Sequence, residues 1–342
     1  MSKKKQECGE KKCSIGGQAL MEGIMMRGPL KSAMAVRRPN GEIFFEEEEN
    51  KASGRPRICK LPIIRGIFGF IDSMKLGYKY LMRSAEIACE EETEPTEAQG
   101  EGEAEQSTEP KSSLGKATMT VMMVIATVLG VVLALVLFMW LPSFLYSLLK
   151  PLLSEELADN RLLRSAFEGV LKILVLVAYM ALVSLMKDIR RTFMYHGAEH
   201  KTIFCYEKGF ELTVENVKKQ RRFHPRCGTS FLILMLLVSI VAGMFIPPSI
   251  EGVDETLYTV IRAAIKLLLI PLVMGVGYEL LRLAGRYDNL FTRIISAPGM
   301  WLQRITVREP TDDMIECAIM AFCAVLPAVE QPAVCAEEQE EA

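Results

Sequence analysis

Apolar residues in this chain gather into four long runs separated by charged loops, and about 20 such residues carry a helix across the hydrocarbon core of a bilayer. Ala117 to Leu141 is uncharged throughout and is the strongest of the four. Ala166 to Met186 carries only Glu168 and Lys172, near enough to its start for both to reach headgroups. Thr229 to Ile246 runs into Pro247-Pro248, a natural stop. Leu257 to Leu283 contains Arg262, Lys266, Pro271, Glu279 and Arg282, so part of it must face protein or an interface rather than lipid. The pattern predicts a mainly α membrane protein of about four spans with small cytosolic α+β elements.

Between the runs the periodicity changes. Ala33 to Glu47 alternates around Pro39-Asn40-Gly41, and Asn-Gly tolerates the positive backbone angles of a tight turn, so a β-hairpin is expected. Leu61 to Ala85 mixes a helical apolar face with Arg65, Lys75, Lys79 and Arg83, which suits an interfacial helix better than a span. The segment from Arg304 to Leu326 reads as a short strand, a cap at Pro310 to Asp313 and an amphipathic helix. Gly16 to Pro29 has the glycines of a shaped backbone loop, with Glu22 and Arg27, but not Walker-type spacing.

Lysine and arginine counted near the span ends predict orientation. The stretch between the second and third runs holds ten of them, from Lys187 to Arg226, and belongs in the cytoplasm. Ser154 to Arg164 and Ser249 to Asp254 are short and acidic or mixed, as outer loops are, and Arg286, Arg293, Arg304 and Arg308 return the C-terminus inside. The expectation is a multi-pass cell-membrane protein with both termini cytoplasmic. The lysine-rich start, Met1 to Lys12, offers no secretory signal.

Composition agrees: among 342 residues, 50% are hydrophobic and mean hydropathy is +0.21. The net charge of −2 conceals acidic tracts from Glu90 to Pro110 and in the C-terminal tail, both too poor in apolar residues to fold. The organisation expected is a flexible N-terminus (1–15), a glycine-rich segment and hairpin (16–60), an interfacial helix (61–88), an acidic disordered linker (89–116), a membrane domain (117–283) with a cytosolic histidine loop (187–228), a C-terminal cytosolic segment (284–326) and a disordered tail (327–342). Nine cysteines lack the spacing of a disulfide framework and are expected to be reduced. Basic residues serve topology and anionic headgroups, which argues for membrane lipids as partners and against nucleic acid.

The chemistry concentrates in the histidine loop, where all three histidines lie. On a helix, His196 and His200 share a face with Glu199 beside them, so two imidazoles can grip one cation near a carboxylate. His-x-x-Glu-His is the inverted zincin string, in which glutamate is the general base toward a metal-bound water. His224 and Cys227, three apart around Pro225 at the start of the third run, can project toward the same centre. Glu279 would arrive at the cytoplasmic end of the fourth run, with Asp288 just beyond; its bland alternative is an ion pair with Arg282 or Arg262. The candidate ligands of a divalent metal, zinc by donor type, are therefore His196, His200, His224, Cys227 and Glu279, with Glu199 as candidate base. The bland reading makes His196 and His200 interfacial hydrogen-bonding residues and Cys227 a packing residue.

Five strings, "IGGQALMEGIMMRGP", "AVRRPNGEI", "YHGAEHKTIFCYE", "HPRCGTSF" and "ITVREPTDDMIECAI", resemble the bacterial membrane family of domain of unknown function 1385, the YqhQ-like proteins, from Gly16 to about Leu326. The resemblance implies the membrane fold and a metal-dependent enzyme of unknown substrate, with the histidine and cysteine positions carried over. Three functions follow as expectations: a membrane-associated metal-dependent hydrolase using a metal-bound water at the cytoplasmic face; a structural zinc-stabilised scaffold or assembly factor; and a transporter or lipid-handling protein lined by the charged fourth run. Four spans without an internal repeat count mildly against a transporter, though not against a homo-oligomeric one.

Overall fold

The computed structural model describes residues 15–50, 56–88, 113–158, 160–247, 249–287 and 289–327. Most of the segments expected as N-terminus, acidic linker and tail, together with Asp288, fall outside these residues. The strands are β1 (Gly16–Leu20), β2 (Gly23–Arg27), β3 (Lys31–Arg37) and β4 (Ile43–Glu49). The helices are α1 (Ile64–Ala88), α2 (Ser113–Leu135), α3 (Leu141–Leu149), α4 (Glu155–Ala158), α5 (Arg161–Val183), α6 (Lys187–Glu207), α7 (Val214–Lys218), α8 (Gly228–Gly243), α9 (Glu255–Arg286), α10 (Leu290–Thr306) and α11 (Asp312–Val325). They divide into two compact units, one formed by 1–92, 176–239 and 270–342, the other by 93–175 and 240–269.

The first unit is built on an antiparallel sheet in the order β1-β2-β3-β4. Alternate side chains leave opposite faces of a strand, and both faces here are covered. Ile24, Met26, Ala33 and Ala35 pack with α6 and α11, whereas Met25, Met34 and Val36 pack with Tyr80 and Ile87 of α1. Each fully buried Ile, Met or Val among them contributes about 1.5–3 kcal/mol. The expected hairpin is β3–β4, turning at Gly41 with φ 91°. The glycine-rich segment is a second hairpin, β1–β2, rather than a loop. Glu22 takes the left-handed angle in its turn, φ 51°, where a sequence reader looks for glycine or asparagine.

The helix expected over Leu61 to Ala85 is α1. The strand expected near Ile305 is instead the end of α10, where Val307 N–H still donates to the Gln303 carbonyl at 2.9 Å. α11 is buried on nearly every side, not amphipathic, because the sheet and α6 cover it. Cys323 within it is disulfide-bonded, against the expectation of reduced thiols.

Among the described residues, three helical stretches are long and apolar enough to cross a membrane: Val124–Leu152, Arg161–Val183 and Thr256–Ala284. The first continues past Leu141, where its apolar run ends, to Leu152. Pro142 sits in the opening turn of α3 and a π-helical turn at Val136–Trp140 precedes it, so the helix continues past a residue that cannot donate. The expected third span is α8, whose 16 residues extend only about 24 Å at 1.5 Å per residue, short of a core about 30 Å thick. In the second unit Glu168 and Lys172 do not reach toward headgroups: they are buried, 3% and 8% exposed.

Candidate metal centre

α6 is one helix through the whole histidine string, so His196 and His200 stand a turn apart with ring centroids separated by 4.4 Å. Cys227 immediately precedes α8 and reaches back to them: its Sγ is 3.1 Å from His196 Nε2. One donor atom each from His196, His200 and Cys227 lies within 4.8 Å of the other two. Tetrahedral zinc, with bonds of about 2.0–2.3 Å, sets its donors about 3.4–3.8 Å apart, a separation that small rotamer adjustments supply.

The outer partners fix which nitrogens point inward. His196 Nδ1 meets the Thr306 carbonyl at 3.0 Å, and His200 Nδ1 meets the Arg222 carbonyl at 2.5 Å. A carbonyl only accepts, so each Nδ1 carries the proton and each Nε2 keeps a lone pair. Such carbonyl-oriented imidazoles are the second-shell arrangement of metal-binding histidines. His200 Nε2 is buried without a hydrogen-bond partner, a state that costs about 1–3 kcal/mol unless a ligand relieves it. Burial also pushes His200 below the ordinary histidine range, against the pull of Cys227, which favours the neutral ring a metal requires. The sulfur accepts from Thr229 N–H at 3.4 Å. These residues fit a divalent cation.

His224 lies outside this group of three. Its backbone is clamped by Gln303, whose Oε1 accepts from His224 N–H and whose Nε2 donates to the His224 carbonyl, both at 2.8 Å. Its Nε2 faces Glu207 Oε2 at 3.7 Å, too long for a hydrogen bond, and Glu207 is ion-paired to Arg226. Glu279 is also elsewhere: neither Arg282 nor Arg262 but Arg65 of α1 grips its carboxylate with two nitrogens, and Ile63 N–H adds a bond at 3.4 Å.

Glu199 is buried against β1, where its Oε1 accepts from Gly17 N–H at 3.0 Å. The fit needs glycine, since a Cβ at Gly17 would stand 2.9 Å from the carboxyl carbon. Burial raises the Glu199 carboxyl above its ordinary value, opposed by His196 and by the Gly17 bond. Gly17 also lines a cavity of about 340 Å³, walled by Gln18, Met25, Arg27, Ser73 and Leu76. That cavity opens on the α1 face of β1, with Gln18 and Met25, whereas Glu199 meets Gly17 from the α6 face. Sequence reasoning missed Gly17, Gln303, Thr306 and Arg222. The first is a close approach set by the missed hairpin, and the last two act through main-chain carbonyls, which carry no side-chain signature.

The family model described as "Protein of unknown function (DUF1385)" matches residues 61–328. The uncharacterized protein YqhQ of Bacillus subtilis (strain 168) is 33% identical over 315 residues, covering 92% of each chain. No solved structure matches. The match across most of both chains means that this membrane protein belongs to the family of domain of unknown function 1385.

Proposed function

We propose that the protein is a membrane-bound metal-dependent hydrolase working at the cytoplasmic face. The observation that carries this reading is the pair of carbonyl-oriented imidazoles gathered with the Cys227 sulfur, a group to which His224 adds no donor although its ring centroid is 5.6 Å from that of His200. Three protein donors with a fourth position open is the pattern of catalytic zinc, whereas structural zinc is closed by four. A bound cation would supply Lewis acidity and an activated water. The protein's own groups would do the rest. His196, His200 and Cys227 hold the ion, and Glu199, held by Gly17, takes and returns a proton beside it.

The cytoplasmic placement rests on the basic residues between Lys187 and Arg226. In Lys219→Cys, at an exposed position of that stretch, an impermeant thiol reagent should fail to label the new thiol in intact cells and should label it once the membrane is permeabilised; labelling in intact cells would overturn the placement.

The hydrolase reading is tested by metal analysis of the purified full chain together with complementation of a deletion phenotype. Glu199→Gln should retain the metal and fail to complement, while His200→Ala should lose both. Full complementation by Glu199→Gln alongside failure of His200→Ala would assign the centre a structural role, as a clamp between α6 and α8 in a scaffold or assembly factor.

A further inference from the structure

Ionisable residues within an apolar helix are costly and must answer one another or a ligand. Arg164, Glu168 and Lys172 recur every fourth residue along α5, and Tyr258, Arg262 and Lys266 do so along α9. The two stripes meet inside the second compact unit. Glu168 Oε1 lies 3.2 Å from Arg164 Nε and 3.5 Å from Arg262 Nε, and its Oε2 receives Lys266 Nζ at 2.5 Å. Ser143 of α3 closes the group, its hydroxyl 3.3 Å from both Glu168 Oε1 and Lys266 Nζ.

The charges do not balance. Even with Arg164 set aside for its further partners, Lys172, Arg262 and Lys266 face a single carboxylate among the described residues, that of Glu168. Lys266 is satisfied by Glu168. Arg262 is 1% exposed; one of its terminal nitrogens donates to the Pro247 carbonyl at 3.0 Å, and its Nε is left without a hydrogen bond. Lys172, one turn beyond Glu168 and 8% exposed, makes no hydrogen bond to any described residue, and its ammonium keeps a small opening to the surroundings. Buried cations in excess are stable only with a compensating anion or with a lysine neutralised, and deprotonation cannot quiet an arginine.

We propose that α5 and α9 enclose an anion site for a phosphate-type oxyanion, with Lys172 and Arg262 as its donors and Glu168 and Lys266 as the frame that positions them. Lys172 lies about 16 Å and Arg262 about 10 Å from the first residue of its helix, which spans the depth from an interface toward the middle of a core about 30 Å thick. In that low-dielectric setting a guanidinium and an ammonium bind an oxyanion far more strongly than in water. A headgroup phosphate of an anionic lipid and a free anion entering from solution share this chemistry. The site is independent of the metal centre and of the hydrolase reading.

The test uses the full chain in nanodiscs of neutral phosphatidylcholine, with either phosphatidylglycerol in the bilayer or inorganic phosphate in the buffer, read by the thermal unfolding midpoint. One of the two additions should raise the midpoint of the wild-type chain. Lys172→Gln, which breaks no internal hydrogen bond, should require about tenfold more of that anion for the same shift, and Lys172→Arg should restore the response. A response to phosphate in neutral nanodiscs identifies a soluble ion; a response to phosphatidylglycerol alone identifies the headgroup. No response to either, or an unchanged response in Lys172→Gln, overturns the proposal. Should Lys172→Gln not fold, native mass spectrometry of the wild-type chain decides: retention of phosphatidylglycerol over phosphatidylcholine, or of phosphate, supports the site, and retention of neither overturns it.

Discussion

Gly197 lies directly beneath the carbonyl of Arg308: a Cβ at Gly197 would stand 2.0 Å from that oxygen. The same contact is locked by Arg308 N–H, which donates to the Phe193 carbonyl at 2.9 Å. Two residues before Arg308, the Thr306 carbonyl fixes the tautomer of His196. The missing side chain of one residue therefore sets the proton of its neighbour.

Gly197→Ala should displace the chain after α10 from α6 and unseat the Thr306 carbonyl from His196. Overpacking of this kind costs about 1–3 kcal/mol, so the variant should melt lower and bind metal more weakly. Metal stoichiometry and a thermal melt of the purified chain measure both; a variant with unchanged metal affinity would mean that the Thr306 bond does not orient the ligand.

His224→Ala should leave the metal content intact. The Gln303 clamp uses only the backbone of His224, so it survives removal of the imidazole, which costs the loop that presents Cys227 one bond, from Arg226 N–H to Nδ1 at 3.3 Å. A closed four-ligand centre would instead lose its metal in this variant as it does in His200→Ala. Elemental analysis of the two side by side separates an open centre from a closed one.

Stability of the first unit should fall at alkaline pH through its buried thiols. Burial pushes Cys205 and Cys317 up to about 11 from an ordinary value of 9, with Lys208 and Arg37 respectively pulling down. Above pH 9 the unfolded chain sheds these protons while the folded chain holds them, so rising pH favours unfolding. Stability should be flat below about pH 9 and decline from there to about pH 11. Cys205→Ala/Cys317→Ala should show a weaker decline in chemical denaturation across that range; an identical decline would place the alkaline sensitivity in other groups, such as the buried Tyr195.

What could be read from the sequence depended on how far each signal reaches along the chain. The β3–β4 hairpin was visible because Asn40-Gly41 announces its turn, and the His196 and His200 pair because helical spacing is local. β1–β2 escaped because Glu22 occupies the turn angle expected of glycine and because Ile24, Met25 and Met26 are buried on both faces, which erases alternation. The convergence of Cys227 on His196 was readable as a pair of adjacent helix ends. That His224 would turn toward Glu207 instead depends on the distant Gln303, and that Glu279 would be gripped by Arg65 depends on α1 docking some two hundred residues away in sequence.

The grip of Arg65 on Glu279 belongs to a close seam between α1 and the later part of α9. A Cβ at Gly275 would stand 2.4 Å from the Ile63 side chain, and one at Gly66 would stand 2.8 Å from the Tyr278 Cβ. Ile63 itself holds φ 70°, unfavourable for a β-branched residue, and its N–H ends on Glu279. The carboxylate thus neutralises Arg65 and helps to hold a strained backbone at the head of α1. Glu279→Gln removes the charge but keeps an acceptor, whereas Glu279→Ala removes both. Limited trypsinolysis in detergent, which cleaves after Arg65, Lys75 and Lys79 of α1, should be several-fold faster in Glu279→Ala and intermediate in Glu279→Gln. Metal content should equal wild type in both variants, because Glu279 lies outside the group formed by His196, His200 and Cys227. Loss of metal without faster cleavage would return Glu279 to the ligand set.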